Sequence, residues 1–162
     1  MTTILITGMS GTGKSTVLCE LAGRGYRVVD LDDDGWSAEV ATPDGSGIEQ
    51  LWREDRLADL LASDTDAPHF IAGCASNQGK FYDRLRAVVL LSVPVTVLRE
   101  RIATRNTNGF GKEPQDLERI LRDLKDVEPM LRSTSTMEID GSQPVGQVAD
   151  AVEALLTTSG GL

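Results

Sequence analysis

The chain has few cysteines and no long apolar run. Only two cysteines occur in 162 residues, Cys19 and Cys74, which is too few for a disulfide framework and favours a reducing cytoplasm. No apolar run approaches the ~20 residues that cross a bilayer, and the N-terminus lacks the basic flank and cleavage site of a secretion signal. We therefore expect a cytoplasmic protein with one domain over residues 1–162, long enough to bury a core.

Positive charge is also scarce. The chain has 16 Lys and Arg residues against 25 Asp and Glu residues, a net charge of −9 at pH 7. Nucleic-acid polymers and anionic membranes bind to cationic faces, so we expect neither as a partner. A local basic patch can still serve a small anionic substrate, and a monomer and a homodimer both remain open.

Short apolar runs alternate with longer amphipathic segments. This alternation predicts a five-stranded parallel sheet flanked by helices, a three-layer α/β fold. One of the predicted helices covers residues 47–63, where Leu51, Leu57, Leu60 and Leu61 fall near helical spacing. The predicted strands are 3–7, 26–30, 69–73, 87–93 and 136–140, and the other predicted helices begin near residues 14, 94, 114 and 144.

The most specific stretch is GMSGTGKST, residues 8–16, in which Gly8, Gly13, Lys14 and Ser15 satisfy G-x-x-x-x-G-K-[ST]. The glycines let backbone amides point at phosphate oxygens, and the following helix adds its positive end. Lys14 should reach the β- and γ-phosphates and Ser15 should ligate Mg²⁺. The stretch does not match the dinucleotide-binding fingerprint G-x-G-x-x-G, because Thr16 stands at the position of the third glycine. The stretch therefore predicts a nucleoside triphosphate site, lined by Gly8, Ser10, Gly11, Thr12, Gly13, Lys14, Ser15 and Thr16.

Carboxylates follow the second predicted strand, at the end that faces the phosphate loop. We expect Asp30 to help organise Mg²⁺, and Asp32 to orient or deprotonate a hydroxyl-bearing acceptor. Asp33 and Asp34 could equally form a solvated acidic turn. No N-K-x-D guanine signature occurs, which disfavours a GTPase, although the choice between ATP and GTP stays open.

A basic cluster precedes and enters RNTNGFGK, residues 105–112. Asn and Gly residues interrupt two helical patterns there, which predicts a lid that closes over a site. Arg105 is the first candidate, and Arg101 the second, for a guanidinium that meets the transferring phosphoryl group.

Beyond the phosphate loop, DLD (30–32), LWRED (51–55) and AGCASNQGKFYDRL (72–85) make the chain resemble the small P-loop kinases: shikimate kinase, gluconate kinase and adenylate kinase. The resemblance implies use of ATP and Mg²⁺, with Asp30 supporting the metal and Asp32 contacting the reacting hydroxyl. It also implies an acceptor region at about 33–63. The other residues that it assigns are Arg53, Gly73, Cys74 and Asn77 for the substrate, and Gln143 and Pro144 beside the adenine base.

The chain departs from shikimate kinase at two places. The Gly-rich substrate loop is reduced to Gly73, and the second carboxylate-binding arginine should fall near Asp126 and Val127, neither of which is basic. Our hypothesis is therefore an ATP- and Mg²⁺-dependent phosphotransferase whose acceptor is a hydroxyl or phosphate of a small metabolite, nucleoside or nucleotide. The alternative is a nucleotide-dependent switch or regulatory ATPase that acts on a protein partner.

Overall fold

The computed structural model describes residues 2–9, 11–33, 35–63, 67–104 and 114–157. The strands are β1 (Thr3–Thr7), β2 (Arg27–Asp30), β3 (Ser37–Ala41), β4 (Ile48–Trp52), β5 (His69–Ala72), β6 (Ala87–Ser92) and β7 (Met137–Asp140). The helices are α1 (Lys14–Gly23), α2 (Glu54–Ala62), α3 (Val95–Thr104), α4 (Pro114–Asp126), α5 (Glu128–Thr134) and α6 (Val145–Glu153), with 3₁₀ helices at Gln78–Arg84 and Ala154–Leu156.

Five strands form the parallel sheet that the sequence predicts, in the order β2-β5-β1-β6-β7. Strand β1 is buried along its whole length, because helices cover both faces of the sheet. Ile4 and Ile6 pack with residues of α1 and α6, whereas Leu5 packs on the other face with Leu57 of α2. Burying such an aliphatic side chain contributes roughly 1.5–3 kcal/mol, which explains why strands covered on two faces are apolar throughout. The three-layer prediction is confirmed.

The carboxyl ends of the parallel strands meet at one edge of the sheet. In the register of the strands, Ile6 of β1 and Asp30 of β2 both lie opposite Ala72 of β5. On the other side of β1, Ser92 of β6 lies opposite Asp140 of β7. The loops after these strands therefore share one edge, which is where ligands bind in open α/β sheets.

The predicted helix over 47–63 is wrong in its first part. Residues 48–52 form β4, which pairs antiparallel with β3, and helix α2 begins only at Glu54. The turn between β3 and β4 is held by hydrogen bonds among the side chains of Thr42, Asp44 and Ser46. Gly45 in the same turn has φ 74°. Sequence TPDGSG (42–47) has the turn chemistry of a hairpin, since Pro, Asp and Gly each favour a tight turn. That turn chemistry outweighs the spacing of the leucines.

The helix predicted to begin near residue 114 is α4, and α5 follows it directly, with Val127 between them. Pro129 stands in the first turn of α5, where its missing N–H leaves no helical hydrogen bond unmade. The predicted lid over 105–112 lies outside the described residues. Among the described helices, none is long and apolar enough to cross a bilayer.

Candidate active site

The phosphate loop connects β1 to α1, and Gly8, Gly11 and Gly13 in it all have positive φ. Gly8 has φ 152°, and a Cβ there would lie 2.5 Å from the carbonyl oxygen of Leu91. Gly13 precedes α1 with φ 102°, in the left-handed region that other residues rarely adopt. The backbone path of this loop therefore requires glycine at both positions.

Lys14 folds back over its own loop. Its Nζ donates hydrogen bonds to the carbonyl oxygens of Gly8 at 2.7 Å and Met9 at 3.0 Å. The hydroxyl of Thr12 donates to the same Met9 carbonyl at 2.8 Å. The loop thus curls around the lysine ammonium, which also lines a cavity beside the loop. Ser10 lies outside the described residues.

That cavity, which we call the phosphate cavity, has a volume of about 230 Å³. Ser15 and Asp30 meet in it, where the Ser15 hydroxyl donates to Asp30 Oδ2 at 3.1 Å. Hydroxyl and carboxylate oxygens are the donors that Mg²⁺ prefers, and it usually takes its remaining ligands from waters and phosphates. This pair fits that requirement, and the described residues contain no larger cluster of metal-ligating side chains. The lining residues are Gly11, Gly13, Lys14, Ser15, Thr16, Asp30 and Asp32.

Asp32 stands at the rim of the phosphate cavity, held by groups from two other segments. Its Oδ1 accepts hydrogen bonds from the Cys74 backbone N–H at 3.3 Å and from Trp52 Nε1 at 3.5 Å. Its own backbone N–H donates to Asp30 Oδ1 at 3.1 Å. Burial of the carboxylate raises the pKa of Asp32, and the positive charge of Lys14 opposes this in part.

Gly73 makes this placement of Asp32 possible. A Cβ at Gly73 would lie 2.8 Å from Asp32 Oδ1 and 3.2 Å from the Trp52 ring, and the residue has φ 153°. Both the space and the backbone conformation therefore demand glycine at the end of β5. The family resemblance assigns Gly73 to the substrate. The geometry gives a second reason for glycine at this position, because a side chain would collide with Asp32 and Trp52.

A second cavity of about 230 Å³, the base cleft, lies on the other side of the phosphate loop. It is lined by Gly11, Thr12, Gly13, Thr16, Val17, Arg101, Gly141, Gln143, Val145 and Val148. Gln143 belongs to this lining. Pro144 is outside it and caps the N-terminal end of α6.

Arg101 joins the two walls of the base cleft. Its Nη1 donates to the Gly11 carbonyl at 3.1 Å, and its Nη2 donates to the Gly141 carbonyl at 2.7 Å. The guanidinium therefore ties the phosphate loop to the turn after β7. Arg105, the first candidate for the transferring phosphoryl group, lies outside the described residues.

A third cavity, of about 580 Å³, takes part of its wall from Cys74, whose backbone N–H donates to Asp32 Oδ1, and is here called the acceptor pocket. Its wall is formed by Met9, Gln50, Cys74, Ala75, Ser76, Gln78, Gly79, Tyr82, Asp123, Val127, Met130, Leu131, Ser133 and Thr134. At its floor the buried Gln78 donates to Tyr82 Oη at 2.6 Å and to Thr7 Oγ1 at 3.1 Å. Sequence reasoning missed most of this wall, because α4 and α5 carry no motif that assigns their inner face to a ligand.

The three remaining substrate candidates differ in their surroundings. Asn77 is buried and bonds to the chain itself: its Nδ2 donates to the Trp52 carbonyl at 3.0 Å, and its Oδ1 accepts from the Trp52 N–H at 3.2 Å. This arrangement suits a residue that positions β4. Cys74 lines the acceptor pocket, whereas Arg53 is exposed and lies outside its lining.

Comparison with known proteins assigns the chain to a family. Residues 4–122 match the AAA_18 family of AAA domains. A protein of Archaeoglobus fulgidus named "Putative adenylate kinase" is 30% identical over 155 residues, which are 94% of this chain and 81% of that protein.

Solved structures share the fold. A shikimate kinase from Bacteroides thetaiotaomicron matches with a TM-score of 0.69 at 18% identity, over 97% of this chain and 99% of that one. A gluconokinase from Sinorhizobium meliloti 1021 matches with a TM-score of 0.56 at 24% identity, over 96% and 91%. The resemblance to small P-loop kinases is thereby confirmed, and this chain belongs to the AAA_18 family of P-loop proteins.

Proposed function

We propose that the protein is an ATP- and Mg²⁺-dependent phosphotransferase that transfers the γ-phosphoryl group to a small, hydroxyl-bearing acceptor. The observation that carries this proposal is the position of Asp32. It lines the phosphate cavity and also bonds to the backbone of Cys74, which lines the acceptor pocket. A carboxylate between two such cavities can act on a hydroxyl from one side and face a phosphoryl group on the other.

On the nucleotide side, Lys14 leaves its loop carbonyls and binds the β- and γ-phosphates as the nucleotide enters. Ser15 and Asp30 would hold Mg²⁺, Asp30 through water, and the cation would supply charge neutralisation for the phosphates. Arg101 keeps the walls of the base cleft together through its two carbonyl contacts. Gln143 and the backbone near Pro144 border the adenine ring.

On the acceptor side, the hydroxyl oxygen attacks the γ-phosphorus as the bond to the oxygen bridging to the β-phosphorus breaks. The hydroxyl proton passes to Asp32, and ADP is the leaving group. A general base works best when its pKa lies near the operating pH, and burial shifts the pKa of Asp32 in that direction. Arg105 would meet the transferring group when residues 105–112 close, and Arg53 would contact the acceptor from outside the described pocket wall.

The proposal is tested by ADP production from ATP and Mg²⁺ across a panel of nucleosides, nucleoside monophosphates, sugar acids and aminocyclitols. We expect one acceptor class to stimulate turnover strongly and Asp32→Asn to abolish that stimulation. Asp126→Asn, an exposed aspartate on α4, is the matched control and should behave as wild type. If ATP is hydrolysed slowly, at a rate that is the same with and without acceptor and the same in wild type and Asp32→Asn, the proposal is overturned in favour of a regulatory ATPase.

A pH profile tests the role of Asp32 separately. Its ionised form accepts the proton, so turnover should fall as the pH drops through its raised pKa, above the ordinary aspartate value of about 3.9. The profile of kcat/KM should show an acidic limb that Asp32→Asn lacks. An identical limb in both proteins would assign the titration to another group.

A further inference from the structure

The side-chain amide of Gln78 has one orientation that satisfies its neighbours. Gln78 is buried, with 4% of its surface exposed. The backbone N–H of Ala75 points at one of the two terminal atoms of the amide, at 2.9 Å. Because a backbone N–H can only donate, that atom is the carbonyl oxygen Oε1. Nε2 therefore faces the hydroxyls of Thr7, at 3.1 Å, and Tyr82, at 2.6 Å, and donates to both.

This orientation of the amide fixes the polarity of Tyr82. The phenolic oxygen accepts a hydrogen bond from Gln78, so the phenolic proton points away from the amide. Within the part of the chain that the structure describes, the bond to Gln78 is the only hydrogen bond of the Tyr82 side chain. Tyr82 and Gln78 both line the acceptor pocket. The phenol is therefore available in the pocket as a donor whose direction is set by a buried neighbour.

The surroundings of this donor are apolar on one side. Met9 and Leu131 are buried in one cluster, against which Val127 packs, and all three line the same pocket. A ligand that covers the phenol without accepting its proton leaves a buried donor unsatisfied, which costs about 1–3 kcal/mol. The pocket therefore favours a ligand that combines an apolar surface with an atom that accepts a hydrogen bond, the combination that small-molecule sites of this kind select.

An unsaturated ring provides that combination better than a polyol does. A polyol carries a hydroxyl on nearly every carbon, and these groups would lose their hydrogen bonds to water against Met9 and Leu131. An unsaturated ring presents apolar faces and carries its polar atoms at its edge. A carbonyl oxygen or a ring nitrogen at that edge can accept the proton of Tyr82.

We infer that Tyr82 is a specificity-determining residue of the acceptor pocket, that Gln78 positions its proton, and that the phosphoryl acceptor is an alcohol with an unsaturated ring whose carbonyl oxygen or ring nitrogen accepts that proton. The reacting hydroxyl of this alcohol faces Asp32, a step that rests on the proposed function. The charge of the alcohol is a separate matter, because Arg53 and residues 105–112 would meet it from outside the described wall.

Binding is measured without chemistry, on the full chain saturated with ADP and Mg²⁺. The two probes are phenacyl alcohol and phenethyl alcohol, which share a phenyl ring and a primary hydroxyl and differ in one carbonyl group. Tyrosines with carbon-labelled rings locate the binding by nuclear magnetic resonance. The chain has 2 tyrosines, and the other one, Tyr26, packs edge-to-face against Phe70 in the core. We expect both probes to shift the Tyr82 signals and to leave those of Tyr26 unchanged.

Tyr82→Phe removes the donor and keeps the ring. It should weaken the binding of phenacyl alcohol about 3- to 10-fold, the size of one net hydrogen bond, and change the binding of phenethyl alcohol by less than about twofold. Each probe is compared between the two proteins, because the two alcohols also differ in their own hydration. Tyr26→Phe is the matched control and should leave both affinities unchanged.

Gln78→Glu tests the positioning role at nearly constant shape. Carboxylate oxygens can only accept, so the Tyr82 proton turns toward residue 78 and the pocket loses its donor although the phenol is still present. Phenacyl alcohol should therefore weaken as it does in Tyr82→Phe, whereas a merely structural role for Gln78 would weaken both probes alike. This variant also decides the matter if Tyr82→Phe unfolds because the Gln78 N–H has lost its acceptor.

Equal effects of Tyr82→Phe on the two probes overturn the inference, as does the absence of a Tyr82 shift with either probe. Turnover then separates this role from the kinase activity. With the alcohol that the acceptor panel identifies, Tyr82→Phe should raise KM for the alcohol about 3- to 10-fold and leave kcat within a factor of about two. Carbonyl-selective binding without ADP production from any acceptor would sustain the role of Tyr82 and refute the kinase activity.

Discussion

The nucleotide side and the acceptor side of this edge are built in opposite ways. The phosphate cavity takes its walls from residues 11–16 and from Asp30 and Asp32, two short stretches that sequence alone reveals. The acceptor pocket takes its wall from four segments, at residues 9, 50, 74–82 and 123–134. The first is polar and organised by backbone groups, whereas the second is largely apolar and organised by packing. In the kinase that we propose, phosphate recognition can stay fixed while the acceptor changes, because no described residue lines both cavities and Asp32 connects them through the Cys74 N–H.

The strongest test of this division removes the carboxylate of Asp32, which connects the two cavities through its hydrogen bond with the Cys74 N–H. Asp32→Asn should lower kcat by about 10²–10⁴, the contribution typical of a positioned general base. Affinity for ATP should change little, because Lys14, Ser15 and the loop amides remain in place. Steady-state kinetics with the acceptor identified by the panel measure both parameters. A large rise in KM for ATP would show that Asp32 belongs mainly to the nucleotide side.

A methyl group at Gly73 should displace Asp32 without touching the phosphate loop. In Gly73→Ala the Cβ collides with the Asp32 carboxylate and the Trp52 ring, and a misplacement of about 1 Å can cost about 10² in rate. We expect that loss in kcat, together with reduced stability from the strained φ. Gly23→Ala, where a Cβ meets nothing within 4 Å, is the control. Full activity in Gly73→Ala would mean that the position of Asp32 is not critical.

Arg101→Ala should affect the nucleotide side alone. It removes the two hydrogen bonds that tie Gly11 to Gly141, and we expect KM for ATP to rise about 10-fold, as the loss of charge-assisted hydrogen bonds suggests. KM for the acceptor should stay within a factor of about two. The exposed Arg99 on the same helix is replaced in parallel. A fall in kcat of about 10³ with unchanged KM would instead assign Arg101 to the transition state.

The smallest expected effect is on stability. Because the pKa of Asp32 is raised in the folded protein, its stabilising contribution is present at low pH and is lost as the pH rises through that pKa. Asp32→Asn should therefore raise Tm relative to wild type at neutral pH, by less than about 4 °C, and the difference should vanish toward pH 4. Thermal unfolding followed by circular dichroism at several pH values measures this. A lower Tm for Asp32→Asn than for wild type at pH 7 would contradict this prediction.

Sequence predicted the sheet and the nucleotide side because both follow local rules. Short runs that are apolar throughout indicate parallel strands buried on both faces. The phosphate-loop motif is contained within nine consecutive residues, GMSGTGKST. The β3–β4 hairpin was missed because leucine spacing over 47–63 imitates a helix, although the turn TPDGSG held the correct signal. Glu54 and Asp55 in the first turn of α2 also mark a helix start after Trp52.

The acceptor pocket could not be predicted because its wall comes from four segments that are far apart in the sequence and meet only in the fold. Asp123 on α4 carries no signature, and its relevance appears only when the fold brings it to the same cavity as Cys74. Asn77 is predicted to contact the substrate, and in the structure its amide donates to Trp52 and Glu54, so its role at the substrate stays a prediction. Arg53, Arg105 and the lid over 105–112 stay predictions.

The bonds of Asn77 to both backbone groups of Trp52 have a consequence for hydrogen exchange. An exposed hairpin opens by local fluctuations, so most of its amides exchange quickly. The Trp52 amide can exchange only when its hydrogen bond to Asn77, which stands just before the 3₁₀ helix at 78–84, opens. Its protection factor therefore reports how firmly β4 is attached to Asn77, whose neighbours Ser76 and Gln78 line the acceptor pocket, and we expect it to rise when a small molecule fills that pocket.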